Sequence, residues 1–343
     1  MPSTLMIASL YRTWRQQARA LAAVWRCPQL YEAHARLARR HMDAWPTSDS
    51  RCAVWERRAR KRVRQLMQAN ASFPPAVRRA IDEAYGRRGP FRHVLLGALR
   101  APRVTPHEAE LRYPPELRVP TVSPALRALL VSQHAHRGSA PRAASLACPP
   151  KLHVAIETVE RIPGRRVGRR RVVRAHRQWL ATQLKRLRAP LCVRVEADEA
   201  REDVRAWNDY YAQLYTQLET LARSTPPRRE LPRYVAAARA AAVQAQPRQV
   251  LRRCVSFGER GRRRMWAAVL ASAPVLTLRA RDMPAPSARA RSAMDAAVEG
   301  LGAAARCAVR VAVSPWALYG GKGPRLCRAW ATPAEAAYLR HVP

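Results

Sequence analysis

LYRTWRQQARALAAVWR, residues Leu10 to Arg26, decides the fold of this chain. Leu10, Trp14, Ala18, Leu21 and Trp25 recur at spacings of three and four, which sets them along one side of an α-helix. Arg12, Arg15, Arg19 and Arg26 fall on the opposite side. Such a helix buries its Leu/Trp stripe against neighbouring helices and turns an arginine ladder outward, where several guanidinium groups can pair with one acidic partner.

Outward from this segment the helical pattern continues. A second helix is expected from about Gln29 to Asp43, with Leu37, Arg39, Arg40 and His41 in its last turns. A third starts after Ser48 or Ser50, either of which can cap it, and carries Trp55, Ala59, Val63 and Leu66 on one face up to Asn70. Breaks at Pro28, Trp45-Pro46, Phe73-Pro74-Pro75 and Gly89-Pro90 punctuate residues 1–101, which read as one helical unit.

Residues 102–150 read as a proline-rich linker, with Pro102, Pro106, Pro114, Pro115 and Pro120, holding a short helix from Ser123 to His134 and a loop from Gly138 to Pro150. Residues 151–343 read as a basic, partly helical region. Lys151 to Val159 alternates as a strand would, and Arg165 to Arg188 is the most basic stretch of the chain. Glu196 to Leu221 is expected to be a single helix with Trp207, Tyr211, Leu214, Leu218 and Leu221 inward, and Leu231 to Gln244 and Met294 to Leu301 to be alanine-rich helices. The fold class expected is mainly α: an N-terminal three-helix bundle with extra helices, followed by an irregular Pro/Arg-rich extension.

The Leu10-Tyr11-Arg12 tripeptide on a basic first helix, followed by two more helices, resembles the LYR-motif proteins, small mitochondrial three-helix modules. Where that family usually has an arginine-rich stretch around a phenylalanine, this chain has Arg39, Arg40 and His41 with Trp45 nearby. The stretch QANASFPPAVRRAIDEAYGRRG, Gln68 to Gly89, and the later basic tryptophan segment from Arg169 to Leu191 resemble the long fungal LYR proteins of the Cup-one-like type. The resemblance implies a non-enzymatic adaptor or assembly factor in the mitochondrial matrix that docks acyl carrier protein and serves a respiratory or ribosomal assembly partner. Leu10, Tyr11, Arg12, Arg15, Arg19 and Arg26 would then form the docking surface. No cofactor is expected on the chain itself; the acyl-phosphopantetheine of the carrier would reach the apolar interior, with Trp14, Leu21 and Trp25 lining the acyl chain or, equally, serving as ordinary bundle core.

Charge opens a second reading. The 343 residues carry 63 Lys+Arg against 24 Asp+Glu, a formal net charge of +39, which attracts polyanions. Four lysines and two asparagines, Asn70 and Asn208, show a GC-biased composition that favours arginine over lysine but leaves the scarcity of acids unexplained. The alternative function is therefore RNA binding or association with the mitochondrial ribosome. Arg169, Arg170, Arg171 and Arg174 would take phosphates and Trp179 would stack on a base, unless that ring packs inward. Glu196, Asp198, Glu199, Glu202 and Asp203 could neutralise part of this block within the chain.

Catalysis and metal binding find little footing. No nucleophile, base and stabiliser are spaced as a set. His134 and His136 lack a completing ligand at standard spacing, Gly320-Gly321-Lys322-Gly323 lacks the hydroxyl residue and helix of a phosphate loop, and Asp82 and Glu83 diverge by about 100° on a helix. Seven scattered cysteines contain no C-x-x-C pair. No apolar run approaches the ~20 residues of a membrane span. The first acid is Glu32, so the N-terminus also has the acid-free amphipathic character of a mitochondrial targeting segment, expected here to be imported without removal of residues 10–26.

Overall fold

Proline placement and apolar spacing set the ends of the first five helices. In a computed structural model, which describes residues 4–46, 48–100, 111–120, 122–132, 168–196, 202–223, 232–279, 291–307 and 309–318, α1 runs Thr4–Trp25, α2 Pro28–Asp43, α3 Asp49–Asn70, α4 Pro74–Ala84 and α5 Gly89–Ala98. Pro28 and Pro74 each open a helix, where the missing N–H costs nothing. Ser48 occupies the position before α3 without its side chain making a cap hydrogen bond.

Three of these helices end in the same way. After α4, the Gly86 N–H donates to Glu83 O and the Arg87 N–H to Asp82 O, with Gly86 at φ 62°. This paired closure needs a left-handed residue just past the helix, which glycine adopts without strain. Arg26, at φ 52°, plays that part after α1, with Arg26 N–H on Ala23 O and Cys27 N–H on Ala22 O. Ser72, at φ 66°, does so after α3. Two side-chain-bearing residues thus hold a conformation that costs on the order of 1 kcal/mol each.

The chain forms two compact units, neither continuous in sequence: residues 1–92 with 217–269, and residues 93–216 with 270–343. In the first, α1 packs on α2 and α3, and α4 packs on α2 and α3. Buried polar groups stitch these contacts. Asn70 Nδ2 donates to the backbone and side-chain oxygens of Gln17 at 3.0 and 2.7 Å, Gln29 Nε2 to Ala84 O at 3.4 Å, and His34 Nε2 to Ala80 O at 3.3 Å. A further helix, α10 (Arg233–Gln244), lies against α1 and α3, Val235 and Ala238 meeting Ala20, Ala23 and Val24. Trp25 packs edge-on against Phe257 at 5.3 Å and against Trp266 at 5.8 Å, and Trp266, on α11 (Glu259–Ala271), also meets Tyr85 at 5.9 Å. The bundle of residues 1–92 is therefore closed by a segment that begins more than 120 residues further along the chain. That division differs from one drawn at residue 101 by composition.

The second unit contains α6 (Pro124–Val131), whose Ser123 cap accepts from the Leu126 N–H and donates to Leu99 O, and α7 (Arg169–Arg186). It also holds a three-stranded sheet in the order β1 (Cys192–Glu196), β2 (Val275–Arg279), β3 (Arg310–Ala312). β1 and β2 are parallel, Cys192 opposite Val275, and β2 and β3 antiparallel, Val275 opposite Ala312. The single helix expected from Glu196 to Leu221 is instead the end of β1 followed by α8 (Glu202–Tyr211) and α9 (Gln213–Arg223). The physical reason is non-local: Cys192, Val193 and Val195 are buried by pairing with a strand some 80 residues later, and a run of five apolar-rich residues carries too little period to announce this. The extension is also less irregular than its proline content implied, since it contains this sheet. Asn208 on α8 mimics a fourth strand, its Oδ1 accepting from Val195 N–H at 2.7 Å and its Nδ2 donating to Val195 O at 3.3 Å. α12 (Ala293–Ala304) packs on β1 and α8, with Gly300 against the Tyr211 ring.

The chain is mainly helical. The strand expected at 151–159, the histidines at 134 and 136 and the Gly320 to Gly323 turn lie outside the described residues.

Candidate docking site

Helical spacing carries Arg12, Arg15 and Arg19 up one face of α1, and the antiparallel neighbour α2 supplies what organises them. Tyr31, three residues into α2, accepts a 2.6 Å hydrogen bond from Arg15 Nη2. The Arg15 guanidinium lies over the Tyr11 ring at 5.6 Å and near the Tyr31 ring at 5.9 Å, and Arg19 lies over Tyr31 at 5.6 Å. Cation–π contact and the hydrogen bond fix two otherwise floppy side chains. The hydrogen bond from Arg15 pulls the Tyr31 phenol below its usual pKa, and the same bond raises the Arg15 guanidinium. Arg12 and Arg19 are exposed, whereas Arg15, Leu10 and Tyr11 are half-buried. Arg26 stands apart from the ladder: it follows the last residue of α1 in the left-handed turn, so its direction is set by that turn and not by helical period.

Beneath this face the interior is filled. Trp14, Leu21 and Trp25 are 1%, 1% and 4% exposed. A small cavity of about 10 Å³ opens among Trp14, His34, Leu66, Ala80 and Glu83, room for a water at most. In this packing Trp25 contacts Phe257 and Trp266. At the cavity rim Glu83 receives Arg62 Nη1 at 2.5 Å and Arg79 Nε at 3.2 Å, while burial holds the His34 imidazole below its usual pKa and so neutral. Among the described residues Trp14 Nε1 finds no hydrogen-bond partner. His41 sits among three tryptophans, its ring 4.5 Å from Trp55, 5.7 Å from Trp14 and 5.9 Å from Trp45, so Trp45 does contribute an aromatic near the end of α2.

The second set of sequence candidates lies on α7. Arg170, Arg171 and Arg174 are exposed, but Arg169 is half-buried, its Nε donating to Leu117 O at 3.0 Å and its guanidinium over the Tyr113 ring at 4.1 Å. Trp179 is half-buried. Among the described residues no group of three or more His, Cys, Asp or Glu side chains is placed to hold a metal, and no helix is long and apolar enough to cross a membrane.

Sequence reasoning overlooked Tyr31, whose importance depends on α2 folding back beside α1. It also overlooked Gln17, His34 and Asn70 as buried linkers, although Asn70 carried a signal. In a composition that has nearly eliminated asparagine, both survivors bridge backbone groups, Asn70 to Gln17 and Asn208 to Val195. Residues 10–96 match the family model described as LYR motif-containing protein 2-like. No curated protein and no solved structure matches the chain. The similarity to that family thus covers the first five helices of the chain and no more of it.

Proposed function

We propose that this protein is a non-enzymatic LYR-type adaptor of the mitochondrial matrix that docks an acyl carrier protein on the α1 face formed by Arg12, Arg15 and Arg19. The observation that carries the reading is the Tyr31 clasp, which holds Arg15 and Arg19 side by side with exposed Arg12 on the same face. A row of guanidinium groups fixed in this way offers several carboxylates of an acidic helix bidentate partners, with less ordering cost than free side chains.

The test is co-purification of the full chain with acyl carrier protein from mitochondria. Arg12→Glu with Arg19→Glu reverses two exposed charges without touching the core, and is expected to abolish recovery of the carrier while helicity stays at the wild-type level. Tyr31→Phe removes the hydroxyl that holds Arg15 and should weaken recovery partially. Full recovery with the double variant would remove the docking assignment.

A further inference from the structure

Tyr31 holds the arginines of α1 through a neutral phenol, yet its surroundings suit a charged group better. Its Oη accepts the 2.6 Å hydrogen bond from Arg15 Nη2 at a partly buried position, and the Arg19 guanidinium stands 5.6 Å from the same ring. Among the described residues no carboxylate pairs with Arg15 or Arg19. Tyr31 is also the fourth residue of α2, whose first turn contains no acid. The amide N–H groups at that end of a helix favour a negative charge beside them. Two guanidinium groups and a helix start thus surround one oxygen that carries no full charge.

Other tyrosines among the described residues lack this setting. Tyr85 is fully buried with its hydroxyl 3.2 Å from Cys27 Sγ, and Tyr113 meets the single guanidinium of Arg169. Tyr210 donates at 2.6 Å to Glu299 Oε2, a carboxylate that would repel a second anion. Tyr11 has Arg15 over its ring but not Arg19.

We propose that Tyr31 is a phosphorylation site whose phosphate ester is held by Arg15 and Arg19 and closes the α1 face to an acidic partner. The γ-phosphoryl group of a nucleoside triphosphate passes to Tyr31 Oη: the O–H bond is replaced by an O–P bond, the proton goes to the base of the transferring kinase, and the nucleoside diphosphate leaves. The ester carries roughly −1.5 to −2 charges at neutral pH and three acceptor oxygens, and it gains charge-assisted hydrogen bonds opposite an arginine cluster or at a helix N-terminus. Both conditions meet at this one side chain. Arg15 and Arg19 are then engaged within the chain, and an acidic helix approaching Arg12 meets a dianion. Loss of docking rests on the carrier reading above, whereas capture of the ester by the two arginines does not.

Three measurements on the full chain test this. Phosphopeptide mapping of the chain isolated from its native cells should place phosphate on Tyr31. With phosphotyrosine installed at position 31 by site-specific incorporation, phosphorus-31 resonance should put the ester's second ionisation at least about half a pH unit below the ~6 of a free ester, and Arg15→Gln with Arg19→Gln should return it to that value. Carrier recovery by the ester-bearing chain should fall at least about tenfold. A native chain without phosphate on Tyr31, an ester that titrates as the free one, or wild-type recovery by the ester-bearing chain when Arg12→Glu with Arg19→Glu abolishes recovery, would each overturn the proposal. Wild-type recovery by both chains would instead refute the carrier reading, and phosphate mapping and titration then decide the site.

Discussion

Trp266→Ala tests whether residues 233–269 are an integral part of the N-terminal bundle. Trp266 is 1% exposed and stands edge-on to Trp25 at 5.8 Å and to Tyr85 at 5.9 Å. Truncating a buried tryptophan costs about 3–5 kcal/mol through lost transfer energy and the cavity left behind. Each edge-on aromatic pair carries roughly 0.5–1.5 kcal/mol beyond the area it buries, which places this site at the upper end of that range. The change is read from urea unfolding of the full chain by circular dichroism, with amide hydrogen exchange reporting on the end of α1. The Cys27 N–H, bonded to Ala22 O beside Trp25, should lose protection. Tyr234→Ala serves as a control, because Tyr234 is 46% exposed and its loss should cost less than about 0.5 kcal/mol. If Trp266→Ala lowers stability by under about 1 kcal/mol and leaves protection of Cys27 intact, the α11 segment does not close the bundle and the reasoning fails.

Other outcomes follow from the same packing. Residues 1–101 expressed alone lack α10 and α11, uncover Ala20, Val24 and Trp25, and should be recovered mainly as aggregates. Adding residues 217–269 in trans should restore a cooperative melt, whereas a monomeric 1–101 fragment that melts cooperatively by itself would contradict this. Gly300→Ala places a methyl 2.6 Å from Tyr211 Cδ1 and should destabilise the second unit by about 1–3 kcal/mol, seen as a lower urea midpoint. Ser72→Gly relieves the left-handed strain at φ 66° and should raise stability by about 0.5–1 kcal/mol in the same assay. His34 titrates below its usual value in the folded chain because burial disfavours the charged ring, so the unfolded chain binds more protons below pH ~6.5. Its contribution is complete above that pH and is lost as pH falls toward the folded pKa. His34→Gln should flatten the stability profile below about pH 6.5, and an unaltered profile would show that the ring is not held neutral.

The first helix was legible because its information is local. Leu10 through Trp25 repeat at the helical period, and the breaks at Pro28 and Pro74 fall where helices start. The burial of Trp14, Ala18, Leu21 and Trp25 agrees with that pattern, as does the exposure of Arg12 and Arg19. Ser123 as the cap of a short helix was equally readable, since the capping oxygen acts on an amide three residues away.

What the tertiary structure decided are relations between residues far apart in the chain. Tyr31 becomes the clasp of Arg15 and Arg19 only when α2 folds back on α1. Trp25 meets Phe257 and Trp266 across more than 230 residues, and β1 exists because Val275 to Arg279 pairs with it. Period and capping arise from neighbours within one or two turns, so the sequence alone determines them. A strand of five residues or an aromatic contact draws its stability from partners whose sequence distance is arbitrary, and no local pattern records who that partner will be.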